Sequence, residues 1–175
     1  MKDNLLLKVD TKDYNPSGTI FKRIAVRGFI KIGNKYAMIH SEKYGEYKFP
    51  GGGMEPYEQF EDTLIREVKE ETGLTVLEQS IKYIGRVEEL RKGETHDIMD
   101  MTSHYYECEV SDEVGEQNLD DYEEEYGYKL EFVTLEEAIL NNQKIKDISN
   151  IPWVVRDTAV MKKLKCYLDK KCIVI

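Results

Sequence analysis

Between Phe49 and Leu74 the chain reads FPGGGMEPYEQFEDTLIREVKEETGL, and no other stretch dictates its local structure so tightly. The glycines Gly51, Gly52 and Gly53 permit a tight turn and leave backbone amide and carbonyl groups uncovered for a ligand. A proline-opened segment from Pro56 leads into a glutamate-rich helix, and Gly73 stands where a helix C-cap glycine belongs. Glu67, Glu70 and Glu71 recur at i, i+3 and i+4, so their carboxylates fall within one narrow arc of that helix. Leu64 and Val68 occupy the strip beside this arc, with Ile65 further round. The glutamates therefore flank the buried face, which suits the wall of a cleft. The competing reading is a charged surface helix in which Arg66 and Glu70 form an ordinary i,i+4 pair.

Like charges so placed repel by a few tenths of a kcal/mol per pair. A divalent cation converts that cost into binding, because Mg²⁺ takes carboxylate oxygens and keeps waters for a substrate's phosphates. The chain carries a formal charge of −9, much of it between Glu107 and Glu137, which repels a polyanion. No nucleic acid polymer is expected as a partner, whereas a small phosphorylated ligand screened by a cation is. The basic run Lys162, Lys163, Lys165, Lys170 and Lys171 reads as a solvated helix face. No apolar run reaches the length of a membrane span, and Met1–Asp10 has no signal-peptide apolar region. Cys108, Cys166 and Cys172 are odd in number and widely spaced, which predicts reduced thiols and a cytoplasmic setting.

Around the central stretch, Ile20 to Ile32 predicts a strand with a bulge at Gly28. A turn at Gly33-Asn34 leads to its hairpin partner at Lys35–His40. Thr75 to Glu89 contains one or two strands and Ile98 to Val110 another. Ser111 to Gly127 predicts a long acidic surface segment with a short helix at Asp120–Tyr126, followed by a strand at Tyr128–Val133. Thr134 and Glu137 have capping-box spacing, and Pro152 stands near the start of a last helix. Without repeats or linkers, 175 residues predict one mixed α/β domain over 1–175.

Gly52, Glu58, Arg66, Glu67, Val68, Glu70, Glu71, Gly73 and Leu74 match G-x5-E-x7-R-E-U-x-E-E-x-G-U, U being aliphatic, at every defined position. This pattern resembles the box of the Nudix hydrolases, with compatible strands and helices from about residue 20 to 168. The resemblance implies an α/β/α sandwich with a mixed β-sheet. It also implies Mg²⁺- or Mn²⁺-dependent water attack on a nucleoside diphosphate linked to another group, releasing a nucleoside monophosphate. Carried over, Glu67, Glu70 and Glu71 become metal-binding carboxylates, Glu71 foremost, and the carbonyl near Gly52 a further ligand. Glu58 and Arg66 would orient helix and loop by charge pairing, and the general base would be Glu67 or an acidic-loop residue such as Glu123.

The box specifies the reaction and not the nucleotide. A nucleoside or deoxynucleoside triphosphate, intact or oxidised, is the favoured substrate. ADP-ribose hydrolases of the family often carry a proline that would fall near Leu90, and none stands between Pro56 and Pro152. ADP-ribose or another NDP-sugar remains an alternative, as does a non-catalytic nucleotide sensor. Phe29, Tyr105, Tyr106 and Trp153 could stack a base or fill the core. Arg27 or Arg156 could fork onto a terminal phosphate or form an ordinary salt bridge. Homodimerisation is left open.

Overall fold

The computed structural model describes residues 4–172, with side chains to residue 166. Its strands are β1 (Leu5–Asp10), β2 (Ile20–Ile32), β3 (Lys35–Ser41), β4 (Tyr47–Lys48), β5 (Leu74–Val76), β6 (Lys82–Lys92), β7 (Ile98–Cys108), β8 (Val110–Val114) and β9 (Tyr128–Val133). The helices are α1 (Phe60–Thr72), α2 (Asp121–Tyr126), α3 (Leu135–Asn142) and α4 (Trp153–Cys172). Among the described residues no helix is long and apolar enough to cross a membrane. The side chains of Lys170, Lys171 and Cys172 lie outside the described residues; Cys108 is buried and Cys166 exposed.

One seven-stranded mixed sheet organises the chain in the order β1-β6-β7-β2-β3-β4, with β9 on the other edge of β3. The long strand β2 runs parallel to β7 from Ile20 to Ile30, and its last two residues turn to pair with β3. Opposite β7, the edge of β2 is completed by the glycine loop. Val26 donates to the Gly52 carbonyl at 2.9 Å, Gly28 to Pro50 at 2.8 Å, and Met54 to Ile24 at 3.0 Å. Gly51 adopts φ 132°, a region closed to most side chains, with the Val26 carbonyl packed where a Cβ would stand. The loop is thus sewn to the middle of the sheet by its backbone.

Strand alternation separates two apolar layers on opposite faces. Val26, Ile30, Tyr106 and Cys108 join Leu64 and Val68 of α1 in one. Phe29 and Tyr105 join Leu135 and Ala138 of α3 and Val160, Met161 and Leu164 of α4 in the other. Fully burying each such aliphatic side chain is worth about 1.5–3 kcal/mol, so both helical layers are held firmly. The result is an α/β/α arrangement around a mixed sheet.

The hairpin turn at Gly33, the short acidic helix, the cap at Gly73 and the Thr134–Glu137 capping box all stand where the sequence placed them. Three expectations are corrected. No bulge interrupts β2 at Gly28, which pairs in register with Tyr106; its missing side chain instead lets α1 approach, since a Cβ there would sit 3.1 Å from Val68. The sheet also begins before residue 20, because Leu5–Asp10 adds an edge strand parallel to β6. The start of the acidic segment is ordered as β8, paired antiparallel with β5.

Candidate active site

Arg66 is the junction between helix and loop. Its guanidinium donates to Glu58 at 2.7 and 3.0 Å, to Glu67 at 2.7 Å, to Glu70 at 3.0 Å and to the Gly53 carbonyl at 3.1 Å. These planar bonds fix the entry of α1 against the glycine turn, a geometry the ammonium of lysine does not offer. The Arg66 bond pulls the Glu58 carboxyl down from 4.5 to about 2. A lowered folded-state value contributes stability that is present above the unfolded value and lost as pH falls through the folded one. The melting temperature should therefore fall between about pH 4.5 and 2, and Glu58→Gln should flatten that part of the profile. An unchanged acid limb in the variant would remove Glu58 as the cause.

Glu71 turns inward and is 1% exposed. Its carboxylate accepts from the Lys48 ammonium and from the Gly51 amide, both at 2.6 Å. Glu67 packs against Gly52, where no room for a side chain remains. Burial raises its pKa, and the charge of Glu123 adds to that, against Arg66 and Arg27. Glu70 stands at the outer rim beside Arg66.

The acidic segment returns to this place because its backbone closes the end of α1. Gly115 donates to the Gly73 carbonyl and Asn118 to that of Glu70, both at 2.8 Å. Helix α2 follows, and its Glu123 is 5% exposed. Glu123 accepts from the Tyr122 hydroxyl at 2.9 Å and the Asp120 amide at 3.1 Å, and its pKa is raised by burial and then by the charge of Glu71. The charge of Glu123 thus acts on Glu67, and that of Glu71 on Glu123, although Glu123 is far from both in sequence.

Among the described residues no three His, Cys, Asp or Glu side chains already stand as a metal cage. The donor chemistry nonetheless fits a hard divalent cation. Carboxylates and loop carbonyls are all oxygen donors, and their crowded charge is what such an ion relieves. The Gly52 carbonyl, bonded once to Val26, retains a second lone pair.

A cleft of about 380 Å³ opens beside Gly51 and Gly52 and runs along the β2 face that carries residues 21, 23 and 27. Arg27 lines it, 8% exposed, and donates to the Gly51 carbonyl. Arg156 lines it too, but is held in ion pairs with Glu89 at 2.9 Å and Asp157 at 2.8 Å. Of the four aromatics singled out, Trp153 borders the cleft while Phe29, Tyr105 and Tyr106 are buried in the two apolar layers. Sequence reasoning missed Arg23, Lys48 and Arg91 as lining residues. The period-two spacing of Arg23 and Arg27 along β2 was the available signal for the first. Nothing local marked Arg91.

Known proteins resemble the chain in both sequence and shape. A sequence model of the NUDIX domain matches residues 22–154. The Bacillus subtilis (strain 168) protein named "Putative 8-oxo-dGTP diphosphatase YtkD" is 45% identical over 62 residues, 35% of this chain and 37% of that protein. The chain thus matches little more than a third of the length of that relative. A Nudix hydrolase from Nitrosomonas europaea superimposes with a TM-score of 0.56 at 18% identity, covering 80% of this chain and 90% of that one. A MutT Nudix hydrolase from Burkholderia pseudomallei does so with a TM-score of 0.53 at 16% identity, covering 66% and 85%. The two solved structures share the fold, and the domain match spans most of the chain, including the glycine loop and α1. On that match the chain belongs to the Nudix hydrolase family.

Proposed function

We propose that the protein hydrolyses a phosphoanhydride bond of a nucleoside or deoxynucleoside triphosphate, releasing a nucleoside monophosphate and pyrophosphate, with Mg²⁺ or Mn²⁺ bound. The observation that carries this reading is the layout around the glycine loop. Buried Glu71 and Glu123 and part-buried Glu67 gather there, and the Arg23- and Arg27-lined cleft opens beside Gly51 and Gly52. An anionic chain reaching from the cleft toward the carboxylates meets cations first and a metal-charged site second.

Glu67, Glu70 and Glu71 with the Gly52 carbonyl would hold the divalent cation, which supplies charge stabilisation to the phosphoryl group and lowers the pKa of bound water. Arg66 keeps Glu67 and Glu70 aligned and ties them to Glu58 and Gly53. Arg23 and Arg27 offset phosphate charge along the cleft. A water attacks phosphorus, the anhydride P–O bond breaks, pyrophosphate leaves, and the water's proton passes to a carboxylate, Glu67 or Glu123. Both begin with raised affinity for that proton because partial or full burial disfavours their charged form.

The test is a nucleotide panel with Mg²⁺, Mn²⁺ or chelator, and identification of products. The name of the Bacillus subtilis relative puts 8-oxo-dGTP on that panel beside the ordinary triphosphates and sugar nucleotides. Monophosphate and pyrophosphate should appear with metal and fall to background with EDTA. Unchanged turnover in EDTA would sink the metal mechanism, and release from NDP-sugars alone would sink the substrate class.

A further inference from the structure

The carboxylate expected foremost at the metal already has both oxygens engaged. Glu71 is 1% exposed; one oxygen accepts from the Lys48 ammonium and the other from the Gly51 amide, each at 2.6 Å. Among the described residues Lys48, Gly51, Gly52 and Tyr128 line the cleft at this end, and Glu71 lies behind them. Lys48 therefore stands between Glu71 and the space from which an ion or a substrate arrives. The Gly51 amide is fixed, because the glycine loop is bonded to β2 on either side of it, Gly28 to Pro50 at 2.8 Å and Val26 to Gly52 at 2.9 Å. The ammonium, by contrast, ends a flexible four-carbon stem. Its second contact is the face of the Tyr128 ring, 4.2 Å away at the centroid.

An ammonium and a divalent cation compete for such a carboxylate. Both are drawn to the same charge, and crowded against it together in a buried site they repel each other. The ion carries twice the charge and takes oxygen donors at closer range, so the ammonium is the one to yield. The Tyr128 ring spans both places, since it packs against the ammonium and also lines the cleft. On the cleft side Lys48 joins Arg27, which lines the wall and donates to the Gly51 carbonyl. An ammonium 8% exposed and parted from its carboxylate is costly until another anion meets it. A substrate phosphate is such an anion, and lysine serves it as a point charge.

We infer that Lys48 is the counter-ion a divalent cation displaces from Glu71, and that the displaced ammonium holds a phosphate of the substrate beside the glycine loop. This rests on the metal-dependent reading above and adds a residue and an order to it. Before metal loading, Lys48 and Glu71 cancel each other and neither serves the substrate. After it, one exchange has supplied a carboxylate to the ion and a cation to the phosphate, so metal binding prepares the site for the nucleotide.

Two measurements test the exchange without relying on turnover. The first uses the wild-type protein, with trace acetylation of lysine amines by acetic anhydride and mapping by peptide mass spectrometry. Lys35, exposed on β3, serves as the internal reference. Mg²⁺ should raise the labelling of Lys48 several-fold relative to Lys35. A triphosphate with a methylene bridge between its α- and β-phosphates should lower it again. The second measurement is Mn²⁺ binding, read by electron paramagnetic resonance and by melting temperature. Lys48→Met should bind Mn²⁺ several-fold tighter than the wild type, and Mn²⁺ should raise its melting temperature by more, because no ammonium competes for Glu71. Its kcat/KM for a triphosphate should fall nonetheless. A lysine that only braces the loop predicts the reverse: weaker Mn²⁺ binding in the variant and no metal effect on labelling. The labelling decides the matter by itself if Lys48→Met folds poorly. Unchanged labelling in a protein that binds Mn²⁺ and cleaves triphosphates overturns the inference and leaves the hydrolytic reading standing. Labelling raised by Mg²⁺ but not lowered by the methylene analogue overturns the phosphate contact. Labelling that responds to both, in a protein that cleaves no triphosphate, supports the exchange while the hydrolytic reading fails.

Discussion

Replacing Glu67 by glutamine should lower kcat by about 10²–10⁴-fold, the range removed with a positioned acid or base, while the melting temperature stays within about 2 °C of the parent. Both halves follow from where Glu67 sits. Its carboxylate packs on the glycine turn and is bonded to Arg66 at 2.7 Å. Glutamine keeps the shape and an oxygen for that bond, so little packing is lost. What goes is the negative charge proposed to bind a cation and the oxygen proposed to accept a proton. Titrating Mg²⁺ separates the two. If saturating metal restores most of the rate, Glu67 serves as a ligand; if it does not, the proton acceptor has been removed. Glu123→Gln in parallel decides between the helix and the acidic segment, because the larger loss at saturating metal marks the base. Wild-type turnover in both variants would remove both residues from the mechanism.

The parts of this site visible in the sequence are the parts with local causes. The cap at Gly73, the Arg66–Glu70 spacing and the Thr134–Glu137 capping box depend on neighbours within a few residues. The box spacing could therefore be read without a structure. Glu123 was one acidic residue among many in its segment, and what distinguishes it is tertiary: the Gly115 and Asn118 backbone bonds that fold the segment over the end of α1. Arg91 and Arg156 come from β6 and α4 and meet through Glu89, which Arg156 reaches from 67 positions away. Their spacing carries no period for a helix or a strand to reveal. The edge strand β1 escaped for a related reason. Three leucines read as a short apolar run until the parallel partner β6 is supplied. The bulge expected at Gly28 treated a glycine in a strand as a break in pairing, when the demand came from α1 above it.

Lys48→Met should be the most destabilising of the substitutions considered, because it leaves a buried charge without its partner. Lys48 and Glu71 are bonded at 2.6 Å with side chains 8% and 1% exposed. Removing one member of such a pair costs about 3–5 kcal/mol, which for a domain of this size lowers the melting temperature by roughly 6–20 °C. Methionine nearly matches the volume of lysine, so the loss is electrostatic and not a cavity. The contact above the Tyr128 ring, with the ammonium 4.2 Å from its centroid, is lost with the charge. Lys48→Met combined with Glu71→Gln should recover much of the stability, since residue 71 then carries no unpaired charge and its amide oxygen still accepts from Gly51. That double variant should stay inactive, because the carboxylate proposed to bind metal is gone. Lys48, Gly51 and Glu71 belong to β4, the glycine loop and α1, so one carboxylate locks three segments and is also the one proposed to bind metal. Stability and activity should therefore fall together in Lys48→Met and come apart in the double variant. A single variant that melts with the wild type would show that this pair does not hold the loop, and a double variant with normal turnover would remove Glu71 from the site.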